Sequence, residues 1–452
     1  MLIILSDLHL AESQSYQLGP MQFNHNLPAL VYRAYFQEIA DMIRGGNVKR
    51  IDPVLAGDIF ELTRSELWLQ DGLRPYIHNN EVLEGSLVEE RILKILDTIN
   101  ADERVSETLE IFRNLENLFQ IPVKLHYLPG NHDRLVNASP KIRQHVQKFL
   151  GLPYNNSPFM NQYLHYVQGE ARLLVRHGHE YDRANFGEDL ESWESIPTFI
   201  DKDLYDRSVL GDISTTEVAS KLPKLFKEYY TEDAILSLEQ LLVLYQRLTD
   251  FDNVRPTEAL MNFLFSTPGL SQREVWEFIE PIFLKALDEI ALNEQTRQKI
   301  LRLGPLAGIS TGTLDMLMDT RIWRNGIPFW AIDKILDKLS RKIKLTSSMH
   351  IIKNEQCFQP GKSGIQCLVS GHTHNPLVEL VKVQGEQQKY YLNSGTFRNV
   401  ITSTPELDKF GRLRSKARIL IFESGERNPE YDRETGWSFD FTAKYGFGSE
   451  RD

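Results

Sequence analysis

Four short stretches, far apart in the chain, carry side chains of the kinds that hold divalent cations. They are Asp7 and His9 in Ser6-Asp7-Leu8-His9, Asp58 after Gly57, Asn131 in Gly130-Asn131-His132-Asp133, and His372 and His374 in Gly371-His372-Thr373-His374. Asp7 and His9, and again His372 and His374, are separated by one residue, so on a strand end both members of a pair point the same way and can chelate one ion. Asp58 has two carboxylate oxygens that can bridge two cations, and Gly57 lets the backbone pass close to such a site. Asn131 offers a neutral amide oxygen, and His132, displaced by one position, is suited to contact a substrate. Any one stretch also reads as an ordinary turn; their occurrence together and in order, each behind an apolar run, carries the metal reading. Two cations about 3.5–4 Å apart lower the pKa of a water between them and clamp phosphoryl oxygens during in-line attack, with no covalent enzyme intermediate.

Such ligands need a rigid frame. Apolar runs at 2–5, 53–56, 123–128, 172–176 and 366–369 predict strands that end in polar loops. Further strands are expected at 388–393 and 417–423, and helices at 30–43 and through the amphipathic stretch 86–119. Strand and helix therefore alternate through the N-terminal third, an α/β pattern. From 183 to 352 apolar residues fall at helical spacing, which predicts a large, mostly helical insertion between the two parts, 1–182 and 353–452, of one discontinuous domain.

The ordered set Asp7-x-His9, Gly57-Asp58, Gly130-Asn131-His132-Asp133 and Gly371-His372-Thr373-His374 resembles the calcineurin-like metallophosphoesterases. The resemblance implies a two-sheet α/β sandwich flanked by helices, with metals at strand ends. It also implies one further ligand, a His before a Gly at a strand end, which His177 matches in Val175-Arg176-His177-Gly178-His179; a swap with His179 stays open. On that pattern Asp7, His9, Asp58 and His374 hold one ion, and Asp58, Asn131, His177 and His372 the other, while His179 and Asp182 lie behind the ligands or on the substrate side. The mixed nitrogen and oxygen set suits Mn²⁺, Fe or Zn²⁺, with Mn²⁺ first because the carboxylate and amide oxygens are hard. His132 would then protonate the leaving oxygen or stabilise the transition state, and Asp133 would orient the loop or the imidazole, or be a hydrogen-bonded loop carboxylate.

The wording Leu5-Ser6-Asp7-Leu8-His9-Leu10, Gly57-Asp58-Ile59-Phe60-Glu61 and His177-Gly178 is similar to the branch containing UDP-2,3-diacylglucosamine pyrophosphohydrolases. Here His132 stands where that branch has Arg, and the insertion exceeds a simple lid. The expected activity is hydrolysis of a phosphodiester, pyrophosphate or monoester in a small nucleotide-like molecule. The alternative is a metal-dependent DNA nuclease acting with a partner protein. A scaffold that has lost catalysis should lack ligands, and every expected position is filled.

At 452 residues the chain exceeds one ordinary core, in keeping with a catalytic domain plus insertion. Its formal charge of −11 repels nucleic acid and anionic membranes at long range, which weighs against the nuclease. The apolar start, 1–5, is too short for a signal peptide, and the most apolar later stretch, 234–248, carries Glu239 and Arg247 and reads as a packed helix rather than a transmembrane segment. Two cysteines make neither a disulfide framework nor a zinc motif, so a cytoplasmic protein is expected. The insertion could cap the metals, bind a protein partner or join two copies of the chain. Its stripe Phe329, Trp330, Ile332, Ile335, Leu336, Leu339 and Ile343 reads as core-facing, and Trp193, Phe199, Trp276 and Trp323 as core. Asn393-Ser394-Gly395-Thr396 reads as a turn or a phosphate contact.

Overall fold

The N-terminal apolar run forms strand β1 (Leu2–Leu5), and alternation splits its side chains between two buried clusters: Leu2 and Ile4 enter one, Ile3 and Leu5 the other. The computed structural model of the chain describes residues 1–23, 25–256, 259–303, 316, 318–329, 348–361, 363–385, 387–426 and 436–447. The later strands are β2 (Gln17–Leu18), β3 (Met21–Gln22), β4 (Asp52–Ala56), β5 (His126–Leu128), β6 (Gln162–Val167), β7 (Glu170–Arg176) and β8 (Val254–Arg255). They continue with β9 (Cys367–Ser370), β10 (Leu377–Gln384), β11 (Gln387–Asn393), β12 (Asn399–Ser403), β13 (Phe410–Glu423) and β14 (Trp437–Phe447).

In the first sheet β1 pairs in parallel with β4, and β4 with β5. Strand β13 pairs antiparallel with β14 along one edge, while its other edge takes β12 near its start and β1 near its end. The second sheet runs β10-β11-β9-β7-β6, with β9 parallel to both β7 and β11. Leu2, Ile4, Val54 and Ile421 of the first sheet share one cluster with Leu173, Val175, Val369 and Leu392 of the second, so the two sheets bury their faces against each other. The opposite face of the first sheet packs, through Ile3, Leu5 and Leu55, on helices Ala29–Ile43, Leu87–Ala101, Glu103–Arg113 and Pro140–Leu150. The opposite face of the second, through Leu174, Leu368 and Tyr391, meets Phe186, Ile196, Tyr205 and Ile352. The chain is thus a mixed α/β fold built on two stacked sheets.

Several expectations shift in detail. The single amphipathic stretch 86–119 is three helices, Leu87–Ala101, Glu103–Arg113 and Leu115–Phe119: Asp102 accepts a hydrogen bond from the Val105 N–H and caps the second, and Asn114 separates the second from the third. The strand expected from 123 starts at His126; Val123 makes only an isolated bridge to Ile51. Strands β6, β10, β12 and β14 are additions, and β10 hid because most of its residues are solvent-facing or half-buried.

The 183–352 segment is rich in helices, among them Lys221–Tyr230, Glu239–Thr249 and Gln272–Leu292, which pack Phe226, Leu244, Tyr245, Trp276 and Ile279 into a cluster. That cluster also takes Leu18 and Ile401 from outside the segment, and β8 within it pairs in parallel with β12. The segment is therefore neither wholly helical nor separate from the first sheet. Phe199, expected in the core, is 61% exposed, whereas Trp276 is buried. Residues 330–347, with most of the predicted apolar stripe, lie outside the described residues. Among the described residues no helix is long and apolar enough to cross a membrane.

Candidate metal centre

The loops leaving β1, β4, β5, β7 and β9 meet at one end of the two sheets. Asp7 and His9 do not alternate along a strand as expected: β1 stops at Leu5, and both residues take left-handed backbone, at φ 55° and 45°. Asp58, His372 and His374 do the same at 53°, 67° and 58°. Five of the ten non-glycine residues with positive φ among the described residues are therefore predicted ligands. Each such conformation costs on the order of 1 kcal/mol or more and persists only where its surroundings over-determine it. Cross-bracing supplies that: the Asp7 N–H donates to the Gly57 carbonyl at 3.0 Å, the His9 N–H to the Asp58 carbonyl at 2.8 Å, and the Gly371 N–H to the His177 carbonyl at 2.7 Å. The His372 N–H donates to Asp7 Oδ2 at 2.9 Å. Gly57, at φ 93°, passes so close to the His177 ring that a Cβ would overlap it, and a Cβ on Gly130 would overlap Asp58 Oδ1.

Three groups of candidate ligand atoms result, with the atoms within each inside 4.8 Å of one another: Asp7, His9 and His374 form one, Asp58, His177 and His372 another, and His9 recurs with Glu61 and His132 in the third. Asp58 Oδ2 joins the first two, lying 3.7 Å from His9 Nε2 and 3.0 Å from His177 Nε2. Asn131 Oδ1 is buried without a hydrogen-bond partner, the condition in which a ligand atom gains most from a cation. His177 Nδ1 faces the Ala56 carbonyl at 2.9 Å, which fixes Nδ1 as the protonated nitrogen and turns Nε2 toward Asp58. Burial raises the Asp7 and Asp58 carboxyl pKa values, but the surrounding histidines outweigh it and hold both well below the ordinary range. Burial together with Arg255 keeps His374 well below its ordinary pKa and so neutral, the form that ligates. The donor set fits metal ions.

His179 stands apart from these groups. Its ring packs edge-on against Phe186 and Tyr205, each centroid 5.6 Å away, so of the two candidates it is His177 that faces Asp58. Asp182 Oδ2 lies 3.2 Å from His372 Nε2 and accepts a 2.7 Å hydrogen bond from Asn185 Nδ2, and Asn131 Nδ2 in turn donates to Asn185 Oδ1 at 3.3 Å. This chain orients His372 and Asn131 from behind.

Glu61 was not singled out by the motif reading, although it lies three residues after Asp58. It is fully buried, and its two oxygens take different imidazoles: Oε2 is 3.0 Å from His9 Nδ1 and Oε1 2.8 Å from His132 Nδ1. Burial opposes the charged imidazolium of His132, but Glu61 and Asp58 prevail and push its pKa up to about 9. Glu61→Gln should lower metal affinity or metal-dependent turnover roughly 10–100-fold, as expected for a group that orients a ligand. Metal titration followed by turnover measurement checks this, and an unchanged variant would leave Glu61 without a role.

Asp133 does not touch the His132 ring, correcting one of its expected roles. Its carboxylate accepts from the Tyr127 hydroxyl at 2.7 Å and from the N–H groups of Gly130 at 2.6 Å, Ile59 at 2.9 Å, and Asp58 and Phe60 at 3.3 Å each. It ties the β4 loop to the β5 loop. In the 393–396 turn the Ser394 and Gly395 N–H groups are not turned to a phosphate: the Ser394 N–H donates to the Ser370 carbonyl and the Gly395 N–H to Asn393 Oδ1, while the Thr396 hydroxyl donates to the Asp7 carbonyl.

Arg255 is the residue that sequence reasoning missed entirely. It comes from β8, far along the chain, and its Nη2 lies 3.0 Å from His374 Nδ1. Asp252, three residues before it, pairs within the interior with both Arg64 and Arg398, the latter at 2.6 Å, and pins the segment beside the site. No protein-family model matches the chain, and a search of curated proteins finds no match.

Proposed function

We infer that the chain is a binuclear metal-dependent hydrolase of phosphoesters, with the two-sheet architecture of the metallophosphoesterases. The preferred substrate is a phosphodiester, pyrophosphate or monoester in a small nucleotide-like molecule. The observation that supports this most is Asp58 Oδ2 set between His9 Nε2 and His177 Nε2, one carboxylate shared by two ligand groups. Divalent cations there, Mn²⁺ first and Fe or Zn²⁺ as alternatives, would acidify a water nucleophile and neutralise charge growing on the phosphoryl oxygens. Asp7, His9, Asp58 and His374 would hold one, and Asp58, Asn131, His177 and His372 the other.

The protein's own groups account for the remaining requirements. With Nδ1 of His132 held by Glu61, Nε2 is left to carry a proton to the departing oxygen as the phosphorus–oxygen bond breaks. The His132 N–H also donates to Asp58 Oδ1 at 2.8 Å, so the backbone of the proton donor is fixed to the shared carboxylate.

The test is Mn²⁺-dependent hydrolysis of bis-p-nitrophenyl phosphate, p-nitrophenyl phosphate, and single-stranded and duplex DNA. His132→Ala should retain its bound metal and lose about 10²–10⁴-fold in kcat. Preference for DNA would favour the nuclease over the small-molecule reading. A folded, metal-loaded protein that turns over none of these substrates would overturn the inference.

A further inference from the structure

We propose that Arg255, carried on β8 of the insertion, is the group that grips an anionic phosphoryl oxygen of the substrate beside the metal centre. The proposal rests on the phosphoesterase reading above for the identity of the ligand, while its geometry stands alone. Arg255 Nη2 is 3.0 Å from His374 Nδ1 and 3.3 Å from His374 Nε2. A donor nearly equidistant from both ring nitrogens is not aligned on one lone pair, so the guanidinium rests against the imidazole without a committed acceptor. Its Nη1 donates to the carbonyls of Asp252 at 2.8 Å and Val254 at 2.9 Å, which hold that end of the fork in place.

No carboxylate among the described residues makes a contact ion pair with Arg255, although Asp252, Asp7 and Asp58 attract it from farther off. Asp252, the nearest in sequence, has Oδ1 taken by Arg64 and Oδ2 by Arg398. A half-buried, permanently charged fork with no carboxylate in direct contact calls for an anion. His374 cannot remain its partner once Nε2 ligates a cation, because the ring then offers no free lone pair and the local charge becomes positive. The oxygen of a phosphoryl group held at the centre replaces it with a charge-assisted hydrogen bond.

The backbone sets the position firmly. β8 pairs in parallel with β12, with Thr402 opposite Arg255, and the buried Arg64–Asp252–Arg398 cluster anchors the preceding turn. The insertion would thus contribute to recognition through a fixed wall of the site.

The deciding experiment is calorimetric titration of inorganic phosphate into the Mn²⁺-loaded full chain, comparing wild type, Arg255→Gln and Arg255→Lys, with metal content and Tm recorded for each. Loss of one charge-assisted contact should weaken phosphate binding roughly 10–100-fold in Arg255→Gln. Arg255→Lys should fall between, since it keeps the charge and loses the fork, and metal content should match wild type in both. Steady-state kinetics of the same variants should show the change mainly in KM. Equal phosphate affinity in wild type and Arg255→Gln overturns the proposal, as does a wild type that binds metal without binding phosphate. A wild type that turns over substrates while Arg255→Gln binds phosphate normally removes only the Arg255 role, whereas a wild type that neither holds metal nor turns over removes the phosphoesterase reading itself.

Discussion

Asp58→Ala is expected to strip divalent metal from the protein and abolish metal-dependent turnover, by more than the roughly 10²–10³-fold that a single electrostatic stabiliser is worth. The size of the effect follows from position. Asp58 Oδ2 stands 3.0 Å from His177 Nε2 and 3.7 Å from His9 Nε2, so one deletion removes charge from both ligand groups. Its Oδ1 also accepts the His132 N–H at 2.8 Å, so the loop carrying His132, the proposed proton donor, loses its tether to the centre. Asp58→Asn separates these contributions, since an amide oxygen can keep the His132 contact while the shared negative charge is gone. Metal analysis should show depletion in both variants, with Asp58→Asn nearer wild type in Tm. Retention of the full metal complement in Asp58→Asn would mean that Asp58 does not join the two groups.

The elements behind this site were legible where they are local. The apolar runs before Asp7, Asp58 and His372 became β1, β4 and β9, because a short buried strand is written in contiguous apolar residues. The predicted ligands meet, but not through pleat alternation: left-handed backbone at Asp7, His9, His372 and His374 turns the side chains together, and the enrichment of Asp and His in that region is too weak to mark these positions in a sequence. Glu61 was visible as a residue and invisible as a partner of His9 and His132, since its role exists only once the β1, β4 and β5 loops are stacked. Arg255 was beyond local reading altogether. It is 119 positions from His374, inside a segment whose helical periodicity masks a two-residue strand. Strand β14, by contrast, is written in the sequence: Trp437, Phe439, Phe441, Ala443, Tyr445 and Phe447 recur at every second position, the period of a strand, and its register comes from the long edge of β13.

Asp133 and His132 are adjacent, and substituting each should fail in a different way. Asp133→Ala is expected to lower stability by about 3–5 kcal/mol, the scale of leaving a few buried donors without an acceptor. The Tyr127 hydroxyl and four backbone N–H groups, those of Asp58, Ile59, Phe60 and Gly130, all point at the Asp133 carboxylate. Without it they are buried donors with no acceptor, each costing about 1–3 kcal/mol unless water enters the space left behind. The same N–H groups set the turns that present Asp58 and Asn131, so metal content should fall together with the urea midpoint. Asp133→Asn should be intermediate in both, because its amide keeps one acceptor oxygen and adds a donor facing donors. A group acting in the proton transfer itself would instead leave midpoint and metal content unchanged and depress only kcat, the pattern expected of His132→Ala. If Asp133→Ala shows that pattern, its carboxylate acts in the chemistry and the hydrogen bonds to the two loops are incidental; if midpoint and metal fall together, Asp133 is the post on which the β4 and β5 loops hang.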